Sequence, residues 1–185
     1  TACTGPPGSK GALFTLLYSR GGQDKLAGTT LSRYATVMTP PDTLNLSCSI
    51  ESLLTRQNHR GMDDIRQTLQ PGYLLRAAQT LLDRPGNIFI LTGFPVADTF
   101  ETDGPAGALA LYRLAQRLGS APTIISDTAL VSALRDTCDC HTISGDSQLD
   151  AQALYAVRSP QLVISIERPG ASADGRYYNM AGEDI

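Results

Sequence analysis

The sequence predicts an α/β fold, a parallel sheet with helices on both faces, and three observations predict it. Asn87–Gly93 (NIFILTG) and Gln161–Glu167 (QLVISIE) are continuous apolar runs of strand length, as expected for strands covered on both sides. From Asn87 onward such runs alternate with helical patterns, which implies right-handed crossovers. Glycine-rich loops follow the first and last of these strands. A Rossmann-like strand order of 3-2-1-4 is the expected topology.

The elements follow in chain order. Residues 1–45 are rich in Gly, Thr, Ser and Pro without sustained periodicity, and are expected to be an extension, a linker or the tail of a preceding domain. Within them TGPPGSKGA is not a phosphate loop: counting from Gly5, the second glycine should fall where Lys10 stands. Residues 46–185 are expected to form the α/β domain. SIESLLTRQ (49–57) suggests a short helix. PGYLLRAAQTLLDRPG (71–86) suggests a stronger one, with Leu74, Ala78, Leu81 and Leu82 on one face, Pro71 in the first turn and Pro85-Gly86 as the stop. After the strand 87–93 comes a helix over 104–118, with a stripe of Leu111, Leu114, Ala115 and Leu118 and Gly119 beyond its end. TIISD (123–127) reads as strand, 128–135 as helix, HTIS (141–144) as a short strand and 151–158 as helix before the last strand.

At 185 residues, 42% hydrophobic, the chain can bury one substantial core. A net charge of −3 argues against a nucleic-acid partner, which needs a clustered basic face. No apolar run approaches the roughly 18 residues of a membrane span, so no membrane partner is expected. The four cysteines lack the density of a disulfide framework, which points to a reducing compartment. CDCH (138–141) has one residue between its cysteines and no second pair, so it is not read as a zinc site. The chain opens at Thr1, which leaves room for a removed leader or an upstream domain.

In the order 3-2-1-4 the strands 87–93 and 161–167 are neighbours, and the crevice beyond their carboxyl ends is where ligands bind in open α/β sheets. Two loops empty into it, GFPVADTFETDGPAG (93–107) and ERPGASADGRYYNM (167–180). The first gathers Asp98, Glu101 and Asp103 ahead of Gly104 and Gly107, which would let helix amides approach a ligand. Asp103 has two open readings, a cap for those amides or a site residue. Glu101 reads as a site residue because no local helix needs it. Asp127 reads as the cap of the helix that follows it. In the second loop Arg168 offers a planar fork for a carboxylate. No Ser-His-Asp set or G-x-S-x-G elbow is visible, and with two histidines the acid/base work falls mainly to carboxylates.

RGMDDI, LLRAAQTLL, ILTGFPV…ETDGPAGALAL and ISIERPGASADGRYYNM together resemble the D-glutamate cyclase family, specifically its C-terminal domain, over Ser49 to Ile185. Family members are α/β proteins of bacteria and archaea, and a domain of a mitochondrial enzyme in animals. The family pattern continues beyond YYNM, so the domain is expected to be truncated at its C-terminus. The resemblance implies a hydro-lyase that closes D-glutamate to 5-oxo-D-proline with loss of water, cytoplasmic in a bacterium and in the mitochondrial matrix in an animal. On that reading Glu101, Asp103 and Glu167 are the catalytic candidates, and the same three are the candidate ligands of a divalent cation, Mg or Mn. Substrate contacts are expected from Thr92, Gly93, Thr102, Gly104, Gly107, Arg168, Asp174, Gly175, Tyr178 and Asn179. No nucleotide cofactor is expected, and the partner is a small anionic substrate such as D-glutamate. The residues alone leave open a metal-dependent phosphoester hydrolase or a non-catalytic domain that binds small anions.

Overall fold

A computed structural model describes residues 40–96, 99–143, 148–179 and 182–184. The TGPPGSKGA segment, Asp98 and Met180 lie outside them. The described chain divides into two compact units, 40–83 and 84–185.

The first unit is helical: α1 (Pro40–Thr55), a single 3-10 turn (His59–Gly61), α2 (Met62–Thr68) and α3 (Tyr73–Asp83). The first helix starts at Pro40, inside the segment read as an irregular extension and well before Ser49. Prolines in a first turn lose no helical hydrogen bond, and Asp42 there complements the helix dipole. The reason for the rest is tertiary. Glu51 is 2% exposed, and its carboxylate accepts hydrogen bonds from the Ser47 hydroxyl (2.7 Å) and the amides of Gly72 (3.0 Å) and Leu74 (3.1 Å). The Leu75 amide donates to Ser47 Oγ at 3.0 Å. The open amides at the start of α3 are therefore satisfied from α1, more than twenty residues earlier. Gly72 must be bare here, since a Cβ would stand 2.6 Å from Leu44 Cδ1 in a left-handed backbone (φ 83°).

The second unit holds a four-stranded parallel sheet of order β5-β4-β1-β6, with β1 Asn87–Thr92, β4 Ala121–Ser126, β5 Cys140–Thr142 and β6 Leu162–Ile166. Numbered as main-sheet strands this is 3-2-1-4, the order expected from the crossovers. Two-residue strands β2 (Pro95–Val96) and β3 (Thr99–Phe100) pair antiparallel in the loop after β1. The helices are α4 (Asp103–Arg117), α5 (Thr128–Leu134) and α6 (Gln148–Arg158). Phe89, Leu91, Ile125 and Val163 cluster with Leu154 of α6 on one face of the sheet, and the Phe89 ring meets Tyr155 edge-on at 5.6 Å. Ile88, Ile90 and Ile124 alternate to the other face, where α4 packs against β1, β4 and β6.

The buried face of α4 is Ala108, Tyr112 and Ala115; of the expected stripe Ala115 is buried, Leu111 and Leu118 are half-buried and Leu114 is 46% exposed. Small residues let the helix lie close to the sheet, and Tyr112 adds a polar tip whose hydroxyl accepts the Asp139 amide at 2.9 Å. No described helix is long and apolar enough to cross a membrane.

Candidate active site

Parallel pairing of Thr92 with Ile166 brings the carboxyl ends of β1 and β6 side by side, so Gly93 and Glu167 leave the sheet at the same edge. The chain turns sharply at both. Gly93 has φ 73°, and a Cβ there would meet Leu130 Cδ2 at 2.9 Å. Glu167 is left-handed at φ 48° without being glycine, a conformation that costs free energy and gathers at functional positions.

The acidic loop resolves into distinct roles. Glu101 turns its carboxylate back onto α4: Oε1 and Oε2 accept the Gly104 amide at 3.1 and 3.0 Å, and Oε1 also accepts the Asp103 amide. The helix thus needs Glu101 after all, contrary to the sequence reading. Thr102 stands at the N-cap position with no side-chain cap bond, and the Asp103 residue is exposed. The amides expected to face a ligand at Asp103 and Gly104 are therefore already bonded. Gly107 lies exposed one turn into the helix, where a Cβ would make only ordinary contact with Ile166 Cγ2 at 3.9 Å.

Gly104 is different. The point where its Cβ would stand lies 2.9 Å from Glu101 Oε2, 3.0 Å from Thr92 Oγ1 and 3.0 Å from Glu167 Cβ. Thr92 is fully buried, and its Oγ1 has no hydrogen-bond partner among the described residues. Thr92, Glu101, Gly104 and Glu167 are the predicted site residues that the fold brings together.

Arg168 has other partners than the carboxylates beside it. Its Nη1 donates to Asp127 Oδ2 (2.6 Å) and to the Gly93 carbonyl (2.8 Å), and its Nη2 donates to Asp127 Oδ1 (3.1 Å). This bidentate pair ties the turn after β6 to the end of β1 and the start of α5. Asp127 occupies the N-cap position of α5 but makes no side-chain cap bond, so the capping role read from the sequence gives way to the ion pair. Sequence reasoning also missed Ser126, which is 2% exposed and donates to the Thr92 carbonyl at 2.6 Å. A hydroxyl residue in register beside Thr92 was the available signal.

The rest of the second loop folds on itself. Asp174 accepts from the Ser172 hydroxyl, the Tyr178 hydroxyl (2.6 Å) and the Arg176 amide (3.1 Å), around Gly175 at φ 82°. Asn179 and Glu183 close a second turn through Asn179 Nδ2 to Glu183 Oε2 (2.7 Å) and the Glu183 amide to Asn179 Oδ1 (3.0 Å). Asp174, Tyr178 and Asn179 thus build the loop that ends at the cleft. The hydrogen bond from Ser172, then those from Tyr178 and the Arg176 amide, hold the Asp174 carboxyl down at about 2 from an ordinary 3.8. A depressed carboxyl stabilises the fold above its unfolded pKa and loses that contribution as pH falls through the folded one. Hydrogen exchange at amides 172–178 should therefore be unchanged from pH 7 to about 4 and quicken, beyond the intrinsic trend, between 3.8 and about 2. Asp174→Asn should remove that dependence.

Among the described residues no group of three or more His, Cys, Asp or Glu side chains is placed to hold a metal ion. Of the three carboxylates expected to share a cation, Glu101 is turned onto α4 and Asp103 and Glu167 are exposed. Burial, with the neighbouring Cys138 and Asp139, pushes the Cys140 thiol up to about 11.

Residues 50–185 match the family described as D-glutamate cyclase-like, C-terminal. The human protein named D-glutamate cyclase, mitochondrial, is 33% identical over 135 residues, which cover 60% of this chain and 22% of the relative. The chain thus spans less than a quarter of that relative's length. With the match running through both cleft loops, as the loop motifs led us to expect, the chain belongs to the D-glutamate cyclase-like family as its C-terminal domain.

Proposed function

We propose that this domain closes D-glutamate to 5-oxo-D-proline with release of water. The observation that carries the reading is the meeting of Thr92, Glu101 and Glu167 around the bare Gly104, at the switch point of the sheet. Kinship to a protein named for the activity supports it.

Ring closure requires the α-amine nitrogen to attack the γ-carboxyl carbon. A C–N bond forms, a C–O bond breaks, and the two protons that leave nitrogen depart with that oxygen as water. Glu167 is the proton carrier in this scheme, since it leaves the end of β6 exposed, with its Cβ beside Gly104. Glu101 fixes the start of α4 and presents Oε2 to the same space. Arg168 keeps Nε–H and one Nη2 hydrogen for the substrate α-carboxylate, the other terminal hydrogens being held by Asp127 and Gly93. Fixing the five-membered approach contributes on the order of several kcal/mol by positioning alone. The phosphoester and anion-binding readings lose their main support, because the helix amides they would use are bonded to Glu101.

The test is incubation of the full chain with D-glutamate and, separately, L-glutamate, with chiral chromatography of the products. Formation of 5-oxo-D-proline above the uncatalysed rate is expected. A rate equal to buffer would remove the proposal.

A further inference from the structure

Ser126 and Asp127 stand at the end of β4, and both reach sideways to the exit of β1. Ser126 Oγ donates to the Thr92 carbonyl at 2.6 Å. Asp127 reaches the next carbonyl through an intermediary: its carboxylate holds Arg168, whose Nη1 also donates to the Gly93 carbonyl at 2.8 Å. The ends of three neighbouring strands, β4, β1 and β6, are thereby clasped together. Asp127 makes no cap bond to α5, so among the described residues its carboxylate serves Arg168 alone. The two side chains are 29% and 27% exposed, and a bidentate pair at that burial is held more firmly than one on the open surface.

What Asp127 takes, and what it leaves, follow from the shape of a guanidinium. It occupies the end edge, one hydrogen from each terminal nitrogen, with Nη1 to Oδ2 at 2.6 Å and Nη2 to Oδ1 at 3.1 Å. The Gly93 carbonyl takes the other Nη1 hydrogen. The remaining donors, Nε–H and the outer Nη2 hydrogen, lie parallel on the side edge and have no partner among the described residues. That edge is a second complete fork, with the spacing of one carboxylate. Glu167, the residue before it, is left-handed at φ 48°, a turn that persists only where its surroundings fix it. The clasp on Arg168 holds the chain directly after that turn.

We propose that Asp127 is a positioning residue: it holds the Arg168 guanidinium by its end edge, so that the side edge receives the substrate α-carboxylate. The inference deepens the cyclase reading and rests on it for the identity of the ligand. It makes Asp127 a determinant of specificity, separating D-glutamate from an amine of the same reach that lacks the α-carboxylate. Asp127 touches no substrate and acts through Arg168.

The experiment compares D-glutamate with 4-aminobutanoate, which keeps the amine and the carboxyl it attacks at the same spacing and lacks the α-carboxylate. Calorimetry on the full chain should show D-glutamate binding at least tenfold more tightly. Asp127→Asn keeps the size but sets an N–H where an acceptor is needed, and should erase that preference by weakening D-glutamate alone. In turnover the KM for D-glutamate should rise at least tenfold while kcat falls less than threefold, and Asp127→Glu should recover part of the loss. If Asp127→Asn does not fold, Asp127→Glu carries the readout, with D-glutamate weakened at least threefold and 4-aminobutanoate unchanged. A fall in kcat and thermal midpoint at unmoved KM is the mark of a merely structural role and would overturn the inference. Equal binding of the two probes to the unaltered chain, an unchanged preference in folded Asp127→Asn, or neither probe binding, would do so too. Preference lost in the variant, without any 5-oxo-D-proline from the unaltered chain, would sink the cyclase reading and spare the role of Asp127. Cyclisation with the preference intact in Asp127→Asn would do the reverse.

Discussion

Gly104→Ala should reduce turnover of D-glutamate at least a hundredfold, while Gly107→Ala, one turn further along α4, should leave it within about twofold. An alanine methyl at 104 would stand 2.9 Å from a carboxylate oxygen, 3.0 Å from a hydroxyl and 3.0 Å from Glu167 Cβ, closer than such contacts are made. The methyl forces Glu101 and Glu167 to shift, and a misplacement of about 1 Å can cost on the order of 100-fold in rate. Overpacking of this kind typically costs about 1–3 kcal/mol of stability as well. At 107 the methyl meets one carbon at 3.9 Å, so the gain of roughly 0.5–1 kcal/mol for Gly→Ala inside a helix should dominate. Steady-state kinetics and thermal unfolding of the two variants check both halves. A Gly104→Ala enzyme with more than a tenth of the normal rate would mean that the cradle is not where substrate sits.

The largest stability effect is expected in the helical unit. Glu51→Ala should destabilise the helical unit by about 3 kcal/mol, from the loss of charge-assisted hydrogen bonds at roughly 1.5–3 kcal/mol each and the amides left unpaired. Glu51 is 2% exposed and accepts from Ser47, Gly72 and Leu74 in one network, so its removal takes the acceptor from all three donors. Ser47→Ala should cost less, about 1 kcal/mol, because one amide, that of Leu75, loses its partner. Denaturant unfolding together with hydrogen exchange at Gly72, Leu74 and Leu75 measures this. Unchanged exchange at those amides in Glu51→Ala would show that the cap of α3 lies elsewhere.

How much of this was legible depended on the range of the interaction. The strands were readable because a strand buried on both faces must be apolar at every position, and Ile88–Leu91 and Leu162–Ile166 largely are. Strand order followed from handedness, which is local physics repeated. The early start of α1 was not readable, since Ser47, ahead of the expected helix, shows its role only through the Leu75 amide 28 residues on. The α4 stripe was read only in part because Ala108 and Tyr112 carry weaker hydrophobic signals than Leu114, which is exposed.

The ends of β1 and β6 lie side by side as expected, but the residues of the loops that leave them were sorted imperfectly, for similar reasons. Glu101 sits outside the helix it caps, at a position where sequence patterns do not look for a cap. Arg168 stands next to Glu167 in the chain, yet it pairs with Asp127, 41 residues away, because the sheet order brings that strand end within reach. Asp174 and Tyr178 shared a loop with the site motif, and only their mutual hydrogen bond shows that they build the loop itself. Thr92 was expected at the site from the family resemblance. The unpaired hydroxyl that makes it informative belongs to packing and has no trace in sequence.

The central claim is that D-glutamate is cyclised in this cleft with Glu167 moving the protons. Glu167→Gln preserves size and hydrogen-bonding reach while removing the carboxylate, so the decisive measurement is its rate of 5-oxo-D-proline formation beside that of the unaltered chain, with circular dichroism to confirm the fold. A fall of at least a hundredfold in a folded protein is the predicted result. A Glu167→Gln chain that makes 5-oxo-D-proline at the unaltered rate would contradict the account.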